Sequence, residues 1–169
     1  MNYFLKDSSV KVSPSMKPII SEIGNKFKQK FNKTIWITSG TRTAKEQASA
    51  MYNNFSKEKG TEIQRKKYTG KKLFDEIATI YYLYKDKGKT ICVQKMEKVI
   101  KDQILKEKFI SLHLVESAVD IRTRGFQKKE IDYIIELIKT KRSILSYQDK
   151  RNDAQPHIHL QLKPGIIYL

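Results

Sequence analysis

Ser111-Leu112-His113-Leu114-Val115-Glu116-Ser117-Ala118-Val119-Asp120 sets an imidazole and a carboxylate seven positions apart. Residues 109–114 and 118–122 both alternate as strands do. A hairpin turning at Glu116-Ser117 would oppose Leu114 to Val119 and His113 to Asp120. Directly opposed side chains share a face, with Cβ atoms about 5 Å apart. That would suit two ligands of one metal ion. A His and an Asp at this spacing also arise by chance, so the pair needs partners.

The chain has three histidines, and the other two sit together as His157-Ile158-His159. Residues 157–162 read as a strand. Side chains alternate across a strand, so His157 and His159 point to one face. A neighbouring strand could thus add a nitrogen ligand to His113 and Asp120. Three protein ligands with one open position make the composition of a catalytic zinc site. Two other readings stand beside it: ordinary sheet histidines, or the His-hydrophobic-His of metal-using nucleases with a nucleophilic Tyr. Tyr168, the sole downstream tyrosine, is too close to the strand for a separate catalytic helix.

Upstream, 34–38 (Thr-Ile-Trp-Ile-Thr) is β-branched and aromatic and reads as a strand. It runs into Ser39-Gly40-Thr41-Arg42, where Gly40 permits a sharp turn and Thr43 can cap the next helix. Arg42 is held between strand exit and helix entrance, as a functional cation or an ordinary solvated one. Met16, Ile19, Ile20, Ile23, Phe27 and Phe31 form a helical stripe, with Ser13 or Ser15 as cap and an end near Asn32. Helices are expected to about Asn54, from Leu73 to near Gly88, from Ile91 to about Lys106, and around 131–138. Tyr81, Tyr82 and Tyr84 fit a core boundary at helical spacing, with stacking on bases or sugars as the alternative. Residues 57–72 hold seven Lys or Arg against two Glu and read as a basic surface loop. Residues 143–148 read as a further strand. The expected fold is α+β, a small antiparallel sheet packed against helices.

At 169 residues, one domain with one core is expected, with a basic insertion around 57–108. No apolar run approaches the ~20 residues that span a bilayer. The N-terminus lacks the apolar region of a signal peptide. Cys92 is the single cysteine, which excludes a disulfide framework or a multi-cysteine metal site. Thirty-four basic residues against 18 acidic ones give a formal charge of +16. That favours polyanionic partners by long-range steering, whether nucleic acid, anionic lipid or a bacterial wall polymer. The lysine-rich composition of AT-rich genomes would produce the same excess.

Taken in order, Ser39-Gly40-Thr41-Arg42, Ser111-x-His113-x-x-x-x-Ala118-x-Asp120 and His157-x-His159 resemble the zinc D-alanyl-D-alanine carboxypeptidase family. Its relatives include D,D-dipeptidases, phage L-alanyl-D-glutamate endolysins and hedgehog-like metallopeptidases. The resemblance spans residues 39–159. It implies a sheet carrying zinc on His113, Asp120 and His159. It implies that His157 assists catalysis and that Arg42 binds substrate and stabilises developing negative charge. It also implies substrate contacts for Ser111 and for Gln47. Some relatives carry an acidic residue three positions before the last ligand; here Pro156 stands there, leaving Asp153 and Glu116 as possible bases. The chain departs from the pattern at Glu116, where the family usually has Gly, and in a longer segment between Arg42 and His113.

The expected activity is zinc-dependent hydrolysis of peptidoglycan or its precursors, foremost at D-Ala-D-Ala. The alternatives are a phage-type L-Ala-D-Glu endolysin and a non-catalytic zinc-containing wall-binding module. Peptidoglycan stem peptides are the expected partner; nucleic acid is not expected, though nucleic-acid binding is a more distant alternative. The expected location is the periplasm or cell envelope if a signal was trimmed, and otherwise the cytoplasm until phage-type release.

Overall fold

A computed structural model describes residues 2–115 and 118–162. The chain divides into two compact units: residues 1–41 with 115–169, and residues 42–114. Each contains its own cluster of buried apolar side chains, where the length alone predicts one core.

The first unit is α+β. Its strands are β1 (Tyr3–Leu5), β2 (Ile35–Ser39), β3 (Ala118–Arg122), β4 (Ile144–Lys150) and β5 (His157–Leu162). They form one sheet in the order β1-β2-β3-β5-β4. The sheet is mixed rather than antiparallel throughout, because β1 pairs with β2 in parallel, Tyr3 beside Ile35. A parallel neighbour needs a crossover, and helix α1 (Lys17–Phe31) supplies it. Its apolar stripe buries Ile19, Ile20, Ile23 and Phe27. The later helix of this unit, Lys128–Lys139, likewise buries Ile131, Ile134, Ile135, Leu137 and Ile138. The two helices pack on each other and on β1, β2 and β4. Ile35, Ile37, Val119, Ile121, Ile158 and Leu160 complete that core. Strand alternation therefore leaves the other face of the sheet to Trp36, Asp120, Arg122, His157 and His159.

Helix α1 ends as expected, on Asn32 in the left-handed region at φ 54°. Its start differs from the expected serine cap. Met16 is the N-cap and makes no side-chain cap bond, while Pro18 occupies the first turn. The backbone N–H groups of Met16 and Lys17 donate to the Ser13 carbonyl instead, at 3.1 Å each.

Gly40 is required for a reason other than a permissive φ. A Cβ built there would lie 1.8 Å from the Lys11 carbonyl oxygen, beside the isolated bridge between Lys11 and Thr41. Gly40→Ala must displace backbone. We expect a loss of about 1–3 kcal/mol, in the range of other overpacked sites, read as a shifted urea midpoint at unchanged slope.

The second unit is helical: α2 (Ala44–Phe55), α3 (Gly60–Lys67), α4 (Lys71–Tyr84) and α5 (Lys89–Leu105). Thr43 caps α2 as expected. Its side chain accepts from the Glu46 N–H at 3.2 Å, and Glu46 accepts from the Thr43 N–H at 2.7 Å, closing a capping box. Phe55, Phe74, Tyr81, Met96 and Ile100 from α2, α4 and α5 form the core. Tyr81 is buried there while Tyr82 is 54% exposed, so the tyrosines do lie at a core boundary.

The basic stretch read as a loop is largely α3. Lys59 turns the chain at φ 49°, and Gly60 sits so close to the Asn54 carbonyl that a Cβ would lie 2.0 Å from it. The Arg65 guanidinium then holds Asp75 of α4 through two hydrogen bonds of 2.7 and 2.8 Å.

In the first unit the helix that follows β3, Lys128–Lys139, is α6, and it starts on a second capping box between Gln127 and Glu130. Glu130 is buried, accepts from the Gln127 N–H at 2.8 Å and lies 2.7 Å from the Lys33 ammonium. The Lys33 hydrogen bond, more than that N–H, holds the Glu130 carboxyl below the usual carboxylate range against the opposing effect of burial. A carboxyl depressed in the folded state stabilises above its unfolded pKa of about 4.3. That contribution is lost as pH falls through the lower folded value. Glu130→Gln should therefore cost about 1 kcal/mol at pH 7 and less near pH 3. Urea midpoints of both proteins at the two pH values check this; an equal gap at both would refute it.

Among the described residues no helix is long and apolar enough to cross a membrane.

Candidate metal centre

The pairing around Asp120 is not the expected hairpin. Leu112–Val115 is a short helical turn, and the neighbours of β3 are β2 and β5. Glu116 and Ser117, the expected turn, lie outside the described residues. The residue directly opposed to Asp120 is His159, in an unbroken register that also sets Arg122 against His157. The Asp120 Oδ1 and His159 Nδ1 atoms are 2.8 Å apart, and both side chains are 15% exposed. A carboxylate oxygen accepts, so in this contact Nδ1–H of His159 donates.

His157 shares the face of His159, as the alternation of β5 requires, with Ile158 and Leu160 buried behind. Its Nδ1 lies 2.7 Å from the Gln155 carbonyl oxygen and must be the protonated nitrogen there. Its Nε2 is thereby left facing Asp120, 3.9 Å from Oδ1. The two histidines thus play different parts. One contacts the carboxylate, and the other is oriented by backbone beside it.

His113 is buried and sits in the helical turn Leu112–Val115. Ser111 shapes that turn. Its Oγ accepts from the His113 N–H at 3.4 Å, and its carbonyl accepts from the Leu114 N–H at 3.1 Å. Ser111 thus acts as a local cap here, in addition to any contact with substrate. The His113 carbonyl in turn accepts from the Arg42 N–H at 2.8 Å.

Asp120 and His159 thus offer a carboxylate oxygen and ring nitrogens side by side within the first unit, whereas His113 belongs to the second. Two imidazoles and a carboxylate are a donor set that zinc accepts in catalytic sites. Asp120 and His159 could supply two of those donors.

Arg42 is positioned from α2. Its guanidinium donates to Gln47 Oε1 at 3.1 Å, and Gln47 Nε2 donates to the Tyr68 hydroxyl at 3.2 Å. Gln47 is completely buried. Burial raises the Tyr68 pKa, with Arg42 and the Gln47 hydrogen bond opposing, so the phenol stays protonated at neutral pH. Gln47 thus links Arg42 to Tyr68. Nothing in the sequence singles out Tyr68, because a tyrosine after a basic run carries no distinguishing signal. Asp153 lies in the turn after β4, its N–H donating to the Lys150 carbonyl at 3.1 Å.

Comparison with family models, curated proteins and solved structures finds no match for this chain.

Proposed function

We propose that this protein is a zinc-dependent peptidase that hydrolyses peptide bonds of bacterial peptidoglycan or its precursors, first of all the D-alanyl-D-alanine bond. One observation carries the reading: Asp120 and His159, two of the residues that the family resemblance names as ligands and distant in sequence, stand opposite each other on β3 and β5 with Oδ1 and Nδ1 2.8 Å apart. The ordered motifs from Ser39 to His159 add to it, and the charge of +16 suits an anionic wall.

His113, Asp120 and His159 would hold the ion. When bound, zinc supplies Lewis acidity toward the scissile carbonyl and a water of lowered pKa. His157 has one nitrogen committed to the Gln155 carbonyl. Its other nitrogen can hold or give a proton beside the ligand pair. Arg42 presents a planar guanidinium fork suited to a carboxylate. Held by Gln47, it binds a substrate carboxylate or the negative charge that develops on the reacting oxygen.

The test is digestion of purified muropeptides with zinc-supplemented protein, followed by mass spectrometry. Release of D-alanine is expected. A new amine terminus at D-glutamate would assign the endolysin bond instead. No product from any wall substrate would overturn the peptidase reading in favour of a non-catalytic wall-binding protein.

A further inference from the structure

Beside the Asp120–His159 pair, the same sheet face carries a second feature. Arg122 is two residues beyond Asp120 on β3 and stands opposite His157. On the other side of β3, Ile37 pairs with Ile121. One step further in that antiparallel ladder brings Trp36 opposite Arg122. A surface pocket of about 370 Å³ opens here, lined by Lys33, Thr34, Trp36, Arg122, Arg124 and Phe126. Trp36 is 41% exposed and lies against the more exposed Phe4 ring, with centroids 5.1 Å apart.

The three cations are not equivalent. The Lys33 ammonium is 2.7 Å from Glu130 and is neutralised by it. Arg124 spends one nitrogen on the Ala154 carbonyl at 2.9 Å. The exposed Arg122 guanidinium makes no hydrogen bond or ion pair among the described residues. An exposed Arg fork with an aromatic wall and no internal partner is built for a planar oxyanion carried beside an apolar group. The one uncommitted guanidinium, Arg122, matches one carboxylate; a phosphodiester chain would call for a longer cationic track. Arg122 lies roughly 7 Å along β3 from Asp120, at about 3.3 Å per residue. An extended peptide covers that distance in two residues.

We infer that this pocket is a specificity subsite for a peptide residue with a free carboxylate about two positions from the bond being cut, recognised by Arg122 against Trp36. The inference rests on the peptidase reading for its direction, and its test does not depend on turnover. Trp36 is the only tryptophan in the chain, so its fluorescence reports on this pocket alone. The full-length protein is titrated with two end-blocked peptides, acetyl-Ala-Glu-Lys-amide and acetyl-Ala-Gln-Lys-amide, whose only difference is the carboxylate. The Glu peptide is expected to bind about tenfold more tightly, as one charge-assisted pair warrants. In Arg122→Gln that preference should fall to about twofold or less, with the far-ultraviolet circular dichroism unchanged. Equal affinities in the wild type, or a preference untouched by Arg122→Gln, would overturn the subsite. So would oligothymidylate saturating the Trp36 signal at lower concentration than the Glu peptide, which would assign the pocket to nucleic acid. A protein that prefers the Glu peptide but cleaves no muropeptide retains the subsite and loses the peptidase reading. One that cleaves without the preference loses the subsite alone.

Discussion

His159→Ala and His113→Ala are each expected to lose stoichiometric zinc. Wild-type protein purified without added metal should retain about one equivalent, as a three-ligand site holds one ion. Either substitution leaves two donors from the protein. Loss of an outer partner of a metal ligand typically costs 10–100-fold in affinity, so loss of a ligand itself should exceed about 100-fold. The effect has a second readout. A ligand that binds only the folded state at 100 times its Kd adds about 2.7 kcal/mol of stability. Zinc should therefore raise the thermal midpoint of the wild type, and chelator should lower it, while both variants respond to neither. His157→Ala is the control. Its imidazole is turned by the Gln155 carbonyl and lies 3.9 Å from Asp120, and the resemblance does not name it as a ligand. It should keep zinc and lose activity. A full equivalent of zinc on His113→Ala or His159→Ala would discard the ligand assignment.

The same ligand group marks how far a sequence can be read and where it stops. The strand His157–Leu162 is legible because every second residue is apolar, and the structure buries those residues. The capping box of Thr43 and Glu46 and the stripe of α1 are legible for the same reason: the signal and its cause lie within one turn or one face. Pairing is different. Period-two alternation says which side chains share a face of β3, but not which strand lies beside it. The expected hairpin sets Asp120 against His113, seven residues away, when its partner across the ladder is His159, thirty-nine away. The second core is hidden in a related way. Phe55, Phe74, Tyr81 and Met96 lie on stripes that are readable helix by helix, yet nothing local says those stripes close on each other. Within α3, Ile63 is the sole aliphatic residue and is 49% exposed, so there is no stripe to find. Tyr68 and the true constraint on Gly40 depend on contacts with Gln47 and Lys11 that only the fold supplies.

Phe27→Ala should cost far more stability than Gly40→Ala or Glu130→Gln. Phe27 is fully buried on α1, between the sheet and α6 in the core of the first unit. Its ring centroid lies 5.2 Å from Phe31 and 5.0 Å from Phe126. Truncation removes the transfer energy of the ring and leaves a cavity that two neighbouring rings cannot easily fill. Such changes cost about 3–5 kcal/mol. Against a total of about 5–15 kcal/mol for a typical domain, that is about a fifth or more. At about 2–4 °C per kcal/mol for a chain of this size, the thermal midpoint should fall by roughly 6–20 °C. Leu105→Ala gives the matched surface control. Leu105 is 83% exposed at the end of α5, and its loss should stay within about 0.5 kcal/mol. The measurement is a urea titration of the three proteins with zinc removed, so that metal affinity does not mask the packing term. The consequence for the site follows from connectivity in the sheet. Val119 and Ile121, which belong to the same core as Phe27, alternate with Asp120 on β3. Loosening that core should free the strand that holds Asp120 opposite His159. Zinc affinity should then weaken in Phe27→Ala although no ligand has changed, and the same titration repeated with zinc should show a smaller stabilising shift than in the wild type. A loss below about 1 kcal/mol would mean the rings close over the gap, and the packing argument for the sheet would fail.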